Sequence, residues 1–303
     1  MQKPKVAVIL STYNGEKYVK QQIDSILNQT YPNIEIYIRD DGSKDKTVEV
    51  LKQYEKENKI KIFPQENVGF IKSFFTVLSF CDDADYYAFC DQDDEWFPDK
   101  IERAVTALNQ KERNKPLLYF ADYDFYDDNM NFIAHSKSHP KGPSFRNAIV
   151  DCITLGINTV INKKARDMMV KSNIQKSCGH DWTAYMICSS MGEVIYDKTA
   201  TLKYRRTGKN VSPGGKSFIA FQIWRIKKFF LNDYFSNVKD ELIEFEELFG
   251  NQLKPEDRKI LSLFTNKKYS FTKSMKKVFY PKMFRQKWID EIMLRIIFLI
   301  GKL

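Results

Sequence analysis

Apolar positions in the first third of the chain switch repeatedly between two periods, and the switching predicts the layout. Lys5-Val6-Ala7-Val8-Ile9-Leu10 is a short β-rich run, stopped by the turn-prone pair Asn14-Gly15. Val19, Ile23, Ile26 and Leu27 then recur at helical spacing, and that helix ends before Pro32. Ile34, Ile36 and Ile38 alternate with Glu35, Tyr37 and Arg39 as in a strand, which runs into Asp40-Asp41-Gly42-Ser43. Val48, Leu51 and Tyr54 mark a second helix, residues 61–63 a brief strand, residues 70–80 a third helix, and residues 86–90 a strand ending in Asp91-Gln92-Asp93-Asp94. Pro98 opens a helix through Leu108. Four strand–helix alternations predict an α/β unit with a mostly parallel sheet, right-handed crossovers and helices on both faces.

Ligands of such sheets sit beyond the carboxyl ends of the strands, near the switch in strand order. Three polar clusters each follow a strand here: Ser11-Thr12-Tyr13-Asn14, Asp40-Asp41-Gly42-Ser43 and Asp91-Gln92-Asp93-Asp94. They are expected to converge on one crevice. After residues 117–121 the pattern loosens into an aromatic and acidic stretch, 122–128, and a loop with His135, His139, Pro140 and Pro143. A mixed region from 150 to 205 holds Gly179-His180-Asp181-Trp182, a helical run to Met191 and a strand-like Val194-Ile195-Tyr196. Residues 208–215 read as a connector, and 216–303 as a helical extension without strand rhythm. The expected division is therefore 1–215 and 216–303, with halves of the first unit meeting near 121/122.

Composition narrows the class. The 303 residues are 43% hydrophobic, with 23 Phe, 16 Tyr and 4 Trp, which excludes a disordered or collagenous chain and predicts a packed core. The net charge of +9 is unevenly placed: 18 basic and 10 acidic residues follow from Lys216 onward, against 30 and 29 before it. Cys81, Cys90, Cys152, Cys178 and Cys188 are an odd set without a Cys-x-x-Cys pair, arguing against a disulfide framework and a zinc ribbon and for a reducing cytosol. The apolar run 6–10 is too short for a signal peptide, and no stretch reaches the roughly 20 apolar residues of a membrane span. A cytoplasmic location is expected.

Asp91 and Asp93 at a strand end can turn to one side and hold Mg²⁺ or Mn²⁺, hard cations that favour carboxylates and commonly bridge to substrate phosphates. An acidic surface turn would show the same spacing. Asp40-Asp41-Gly42-Ser43 fits either a turn with a helix cap or a carboxylate accepting a pyrimidine N–H, with Tyr13 against the base. There is no Gly-x-Gly-x-x-Gly after the first strand and no Gly-x-x-x-x-Gly-Lys-Ser/Thr anywhere, so dinucleotide and P-loop cradles are disfavoured.

Taken in order, Val8-Ile9-Leu10-Ser11-Thr12-Tyr13-Asn14-Gly15, Asp40 to Asp45, Asn67-Val68-Gly69, Phe89 to Trp96 and Gly179-His180-Asp181-Trp182 resemble glycosyltransferase family 2 over roughly residues 5–210, in particular its bacterial rhamnosyltransferase branch. The resemblance implies the GT-A fold, a nucleoside-diphosphate-sugar donor, a divalent metal ion (Mn²⁺ or Mg²⁺) and inversion at the anomeric carbon. Residues 1–121 would then be the nucleotide-sugar half and 122–215 the acceptor half. Thr12, Tyr13, Asn14, Glu16, Asp40, Asp41, Asn67, Asp91 and Gln92 would frame the donor, Asp91 and Asp93 the metal, and Asp181 would be the general base. Trp96, His180, Trp182, Arg205, Arg206 and Lys209 are the further candidates for diphosphate or acceptor contacts. One departure stands out: where related chains often carry His, Tyr204-Arg205-Arg206-Thr207-Gly208-Lys209-Asn210 has Thr207.

The resemblance implies rhamnose transfer from dTDP-rhamnose to a glycan acceptor, lipid-linked by preference, in bacterial cell-surface polysaccharide synthesis. A UDP-hexose donor such as UDP-glucose or UDP-galactose, or a non-catalytic glycan or nucleotide-sugar binding module, are the alternatives. Nucleic acid is not expected as a partner, because no recognition motif accompanies the basic tail. Between Lys267 and Trp288 eight basic residues and no acidic one interleave with Tyr269, Phe271, Phe279, Tyr280 and Phe284. That tail fits peripheral contact with an anionic membrane at its inner face, a helical cap on the catalytic unit, or a homodimer contact.

Overall fold

The computed structural model describes residues 3–136, 138–207, 234–266 and 268–303. Strands β1 (Val6–Thr12), β2 (Ile34–Asp40), β3 (Lys61–Pro64) and β4 (Tyr86–Cys90) lie in the order β3-β2-β1-β4, all parallel. Helices α1 (Val19–Leu27), α2 (Thr47–Lys56) and α3 (Phe70–Phe80) make the crossovers. This is the half that periodicity predicts. Every residue from Val6 to Leu10 is fully buried because alternate side chains enter different cores. Ala7 and Ile9 meet Phe74 and Val77 of α3, whereas Val6, Val8 and Leu10 meet Val19, Ile23 and Ile26 of α1. A strand covered on both faces reads as a continuous apolar run.

Beyond β4 come β5 (Glu95–Trp96), α4 (Lys100–Asn109), β6 (Leu117–Asp127), β7 (Phe132–His135), the short α5 (Phe145–Ala148), β8 (Thr159–Asn162), α6 (Lys163–Ser172), α7 (His180–Met191) and β9 (Glu193–Arg206). Here the sheet is mixed: β8 runs antiparallel between β4 and β6, and β9 pairs parallel with β6 and antiparallel with β5. The stretch expected to loosen after Ala121 instead continues β6. Residues 122–125 stay in the strand with register shifts against β9 on either side of Asp122, and Tyr123 and Phe125 pack on Tyr204 of β9 at 5.5 and 5.7 Å.

The extension is helical, as expected: α8 (Tyr234–Phe249), α9 (Pro255–Leu261), α10 (Phe271–Val278) and α11 (Trp288–Leu299). Its inner side is a cap. Phe235, Val238, Leu242 and Phe245 share a core with Ala7, Ile9 and α7, and Phe264, Phe284 and Phe298 form a ring cluster at 5.5–5.6 Å spacing. Arg285 pairs with Asp151 at 2.6 Å, and Asn147 donates to the Phe284 carbonyl at 2.7 Å. The boundary at 215/216, the connector 208–215 and Lys267 lie outside the described residues. Among the described residues no helix is long and apolar enough to cross a membrane.

Candidate active site

The Asp91–Asp94 turn leaves β4 at the carboxyl edge of the sheet and is closed by β5, whose Glu95 and Trp96 register with Lys203 and Leu202 of β9. Carboxylate oxygens of Asp91, Asp93 and Asp94 lie within 4.8 Å of one another. Burial, followed by the charges of Asp93 and Asp181, pushes the Asp91 carboxyl up to about 7. Burial also raises Asp93, and burial with the Asp93 and Asp91 charges raises Asp94 well above the carboxylate range. One Asp94 oxygen accepts the Arg205 backbone N–H at 3.0 Å, while the other is buried without a hydrogen-bond partner among the described residues. Crowded, poorly solvated carboxylates with an orphaned oxygen fit a hard divalent cation, which would relieve their repulsion.

Asp181 stands in the first turn of α7, behind Gly179 at the cap position. Its carboxylate accepts the adjacent Trp182 N–H at 3.0 Å, with the backbone N–H groups of Asp181 itself and of Gly156 also favouring its ionised form, and the cap position is Gly179, which has no side chain to close the helix. Burial raises this carboxyl to about 6, and its charge acts on Asp91. A methyl group on Gly179 would lie 2.5 Å from Asp181 Oδ1, so the glycine keeps space for the carboxylate. The turn and the helix start, 90 residues apart in sequence, thus lie near one another.

The first-strand cluster is tied to the acidic turn through Tyr13 and Gln92. Asp40, buried, accepts from Thr12 Oγ1 at 2.8 Å and from both the N–H and the hydroxyl of Ser43 at 2.8 and 2.6 Å. Asp41, also buried, pairs with Arg39 and accepts the Val68 and Gly69 N–H groups at 2.8 and 3.0 Å. Both carboxylates hold the loops together, each accepting three bonds. Gln92 clasps the Tyr13 backbone through both amide atoms, at 2.8 and 3.0 Å, and joins the ends of β1 and β4. Asn14, at φ 48°, accepts the Lys44 N–H, Glu16 accepts the Lys46 N–H at 2.9 Å, and Asn67 accepts the Gly69 N–H at 3.2 Å. Tyr13 keeps its ring exposed at the mouth, where a base can stack.

Several expected contacts become packing roles. His180 is buried, stacked on Phe74 at 4.0 Å and beside Phe89 at 4.6 Å, and burial drives its pKa down to about 3. Trp182 is buried with its indole N–H on the Ala148 carbonyl at 2.6 Å. Trp96 is a core residue, with the Lys100 amine 4.9 Å from its ring. Arg205 is buried and braces the acidic turn: its side chain donates to the carbonyls of Asp93 and Asp128, each at 2.8 Å, and to Gln21. Apolar periodicity hides such roles, since an aromatic or arginine in a motif reads equally well as wall or as contact. Arg206 is half-buried with its guanidinium 5.6 Å from the Tyr204 ring, Thr207 ends the described part of this segment, and Lys209 lies outside the described residues.

Two residues escaped sequence reasoning. Lys100 is fully buried, with its amine on the Ile157 carbonyl at 3.1 Å, and burial lowers its pKa to about 7. Its spacing to Ala104 and Leu108, on the apolar stripe of α4, was the available signal. Glu241 of α8 is buried and accepts the Cys178 N–H and the Thr183 hydroxyl, both at 3.0 Å, on either side of Asp181. Glu244 holds the Gln175 and Lys176 N–H groups just upstream. The extension therefore clamps the loop that carries Asp181. Glu241→Ala is expected to cost about 1–3 kcal/mol by removing the charged acceptor of the Cys178 N–H and the Thr183 hydroxyl, and to lower kcat with little change in donor KM, up to about 100-fold for a displacement near 1 Å. Thermal melts and steady-state kinetics check it; a wild-type kcat would remove the clamp from catalysis.

Residues 7–172 match the family model of Glycosyl transferase family 2. The dTDP-rhamnosyl transferase RfbG of Shigella flexneri is 30% identical over 222 residues, which cover 70% of this chain and 76% of that protein. The putative teichuronic acid biosynthesis glycosyltransferase TuaG of Bacillus subtilis is 30% identical over 217 residues, 69% of this chain and 82% of that protein. The chain spans less of other relatives: 64% of the uncharacterized glycosyltransferase RT0329 of Rickettsia typhi and 19% of one from Rickettsia bellii. Among solved structures, S. aureus TarS 1-349 in complex with UDP-GlcNAc superposes with a TM-score of 0.61 at 19% identity, covering 97% of this chain and 81% of that one. The mannosyltransferase PcManGT from Pyrobaculum calidifontis, in complex with GDP-Man and Mn²⁺, gives 0.55 at 15% identity, covering 100% and 86%. Those likenesses support the GT-A-like architecture of a mixed sheet with helices on its faces. With its family model matched over more than half its length, this chain belongs to glycosyltransferase family 2.

Proposed function

We propose that the chain transfers a sugar from a nucleoside-diphosphate donor to a hydroxyl of a glycan acceptor, with inversion at the anomeric carbon. The observation that carries this reading is the convergence of Asp91, Asp93 and Asp94 with Asp181 on one sheet edge. Asp91 and Asp93, with Asp94 beside them, would hold a divalent cation, Mn²⁺ or Mg²⁺, whose charge offsets that of the departing diphosphate. Asp181 takes the proton from the acceptor hydroxyl as its oxygen bonds to the anomeric carbon; the carbon–phosphate oxygen bond breaks, and the nucleoside diphosphate leaves with the electron pair. Tyr13 offers its exposed ring to the base, and Gln92 keeps that loop against the acidic turn.

The preferred donor is dTDP-rhamnose, supported by the resemblance of Phe89 to Trp96 and by the name of the Shigella relative. A UDP-sugar is the second reading, since a structural neighbour was solved with UDP-GlcNAc. The acceptor in this reading is a lipid-linked glycan of a cell-surface polysaccharide, and the chain works as a peripheral protein on the cytoplasmic side of the membrane. A donor-hydrolysis screen with Mn²⁺ across dTDP-rhamnose, UDP-glucose, UDP-galactose and UDP-GlcNAc tests it. Fastest release of dTDP is expected; faster release of UDP transfers the assignment to the second reading. Donor binding by calorimetry without release of any nucleotide would make the chain a binding module.

A further inference from the structure

The helix α11 is apolar on two sides. Leu294, Ile297 and Phe298 face the core, but Trp288, Ile289, Ile292, Ile296, Leu299 and Ile300 form an outward stripe that is exposed, with Trp288 71% accessible. Phe271 and Phe279, at the two ends of α10, are exposed as well, Phe279 at 77%. A patch of this size on a water-facing side marks an interaction surface.

Charge selects the occupant. From Lys268 to the end there are nine basic residues against Asp290 and Glu291 alone, and Glu291 is buried and paired with Arg295. Lys268, Lys276, Lys282, Lys287 and Lys302 are all exposed. A second copy pairing through this face would bring like charges together, whereas an anionic surface complements them. At about 1.5 Å per residue the helix is about 18 Å long, well short of the about 30 Å of a bilayer core, so it lies in the interface plane. Exposed Trp and Phe favour that headgroup boundary.

We infer that the outward face of α11, with Phe271, Phe279 and the surrounding lysines, docks the protein on an anionic phospholipid leaflet. This deepens the proposed function and rests on it only for the reason such docking is useful: it holds the chain where a lipid-linked acceptor is presented.

Flotation of the full chain with phosphatidylcholine vesicles, with and without phosphatidylglycerol, tests the inference. The chain should float only with the anionic lipid, lose binding at high salt, and weaken about fivefold for each exposed lysine removed by Lys276→Gln or Lys282→Gln. The double variant Ile292→Asp/Ile296→Asp should stay in the bottom fraction while its melting temperature and its hydrolysis of soluble donor match the parent. Equal flotation of that variant, or none by the parent, overturns the surface. So does a lowered melting temperature, which would mean that the stripe packs against another part of the chain. A parent dimer that the variant dissociates in light scattering would assign the face to a second copy instead. Donor hydrolysis separates the failures: its absence in the parent defeats the proposed function, while its presence without flotation defeats only the docking surface.

Discussion

Asp181→Asn is expected to fold as well as the parent chain and to transfer sugar about 10²–10⁴-fold more slowly, with donor affinity retained. The geometry separates a base from a helix cap. The side chain accepts the Trp182 N–H at 3.0 Å, beside the backbone N–H groups of Asp181 and Gly156, and an asparagine oxygen can accept the Trp182 N–H equally well. Burial disfavours the ionised carboxylate, so a neutral amide of the same shape should leave stability unchanged or slightly raised. The sign of the pH dependence follows. With the Asp181 carboxyl raised to about 6, the group is protonated and unable to accept a proton below that pH, so transfer by the parent should climb as pH rises through about 6. That limb should vanish from the residual activity of Asp181→Asn. Transfer at the parental rate by a well-folded variant would oblige another group to act as base.

How far sequence alone reaches is visible in the contrast between β1 and β6. β1 is covered on both faces and its apolar run announces it, whereas β6 continues through Asp122, Asp124 and Asp127, whose acidity disguised a strand that the aromatic residues between them anchor to β9. The acidic turn and Asp181 were legible because a family pattern places them, and the fold brings the two charges within reach of each other. Asp40 and Asp41 were legible as a cluster, but their bonds to Thr12, Ser43, Arg39, Val68 and Gly69 come from loops that only the fold brings together. His180 shows the same limit, since adjacency to Asp181 in sequence turns it, one residue earlier on a helix, into the aromatic core beside Phe74. Glu241 lies beyond any local pattern. Its partners Cys178 and Thr183 are about 60 residues away, and such a long-range hydrogen bond leaves no trace in periodicity.

The other large effect is expected at Asp93. Asp93→Ala should fold normally, because what the rest of the protein takes from this residue is its backbone carbonyl, which accepts Arg205 Nε at 2.8 Å and survives the substitution. Removing the carboxylate also removes a charge that raises both Asp91 and Asp94, so the turn loses repulsion. A cation gains from that repulsion, and taking away one of its ligands should weaken Mn²⁺ binding by more than the about 10–100-fold typical of losing an outer partner. Titration of Mn²⁺ followed by electron paramagnetic resonance measures this without reference to activity. Donor hydrolysis supported by Mn²⁺ should collapse in the same variant, and chelation should silence the parent. Asp94→Asn is the informative contrast: the Arg205 N–H at Oδ1 keeps a partner, while the unpartnered oxygen exchanges its charge for an amide. It should weaken Mn²⁺ less than Asp93→Ala if Asp91 and Asp93 are the principal ligands. Parental Mn²⁺ affinity in Asp93→Ala, or full hydrolysis by the parent in excess chelator, would leave the three carboxylates as a purely structural turn.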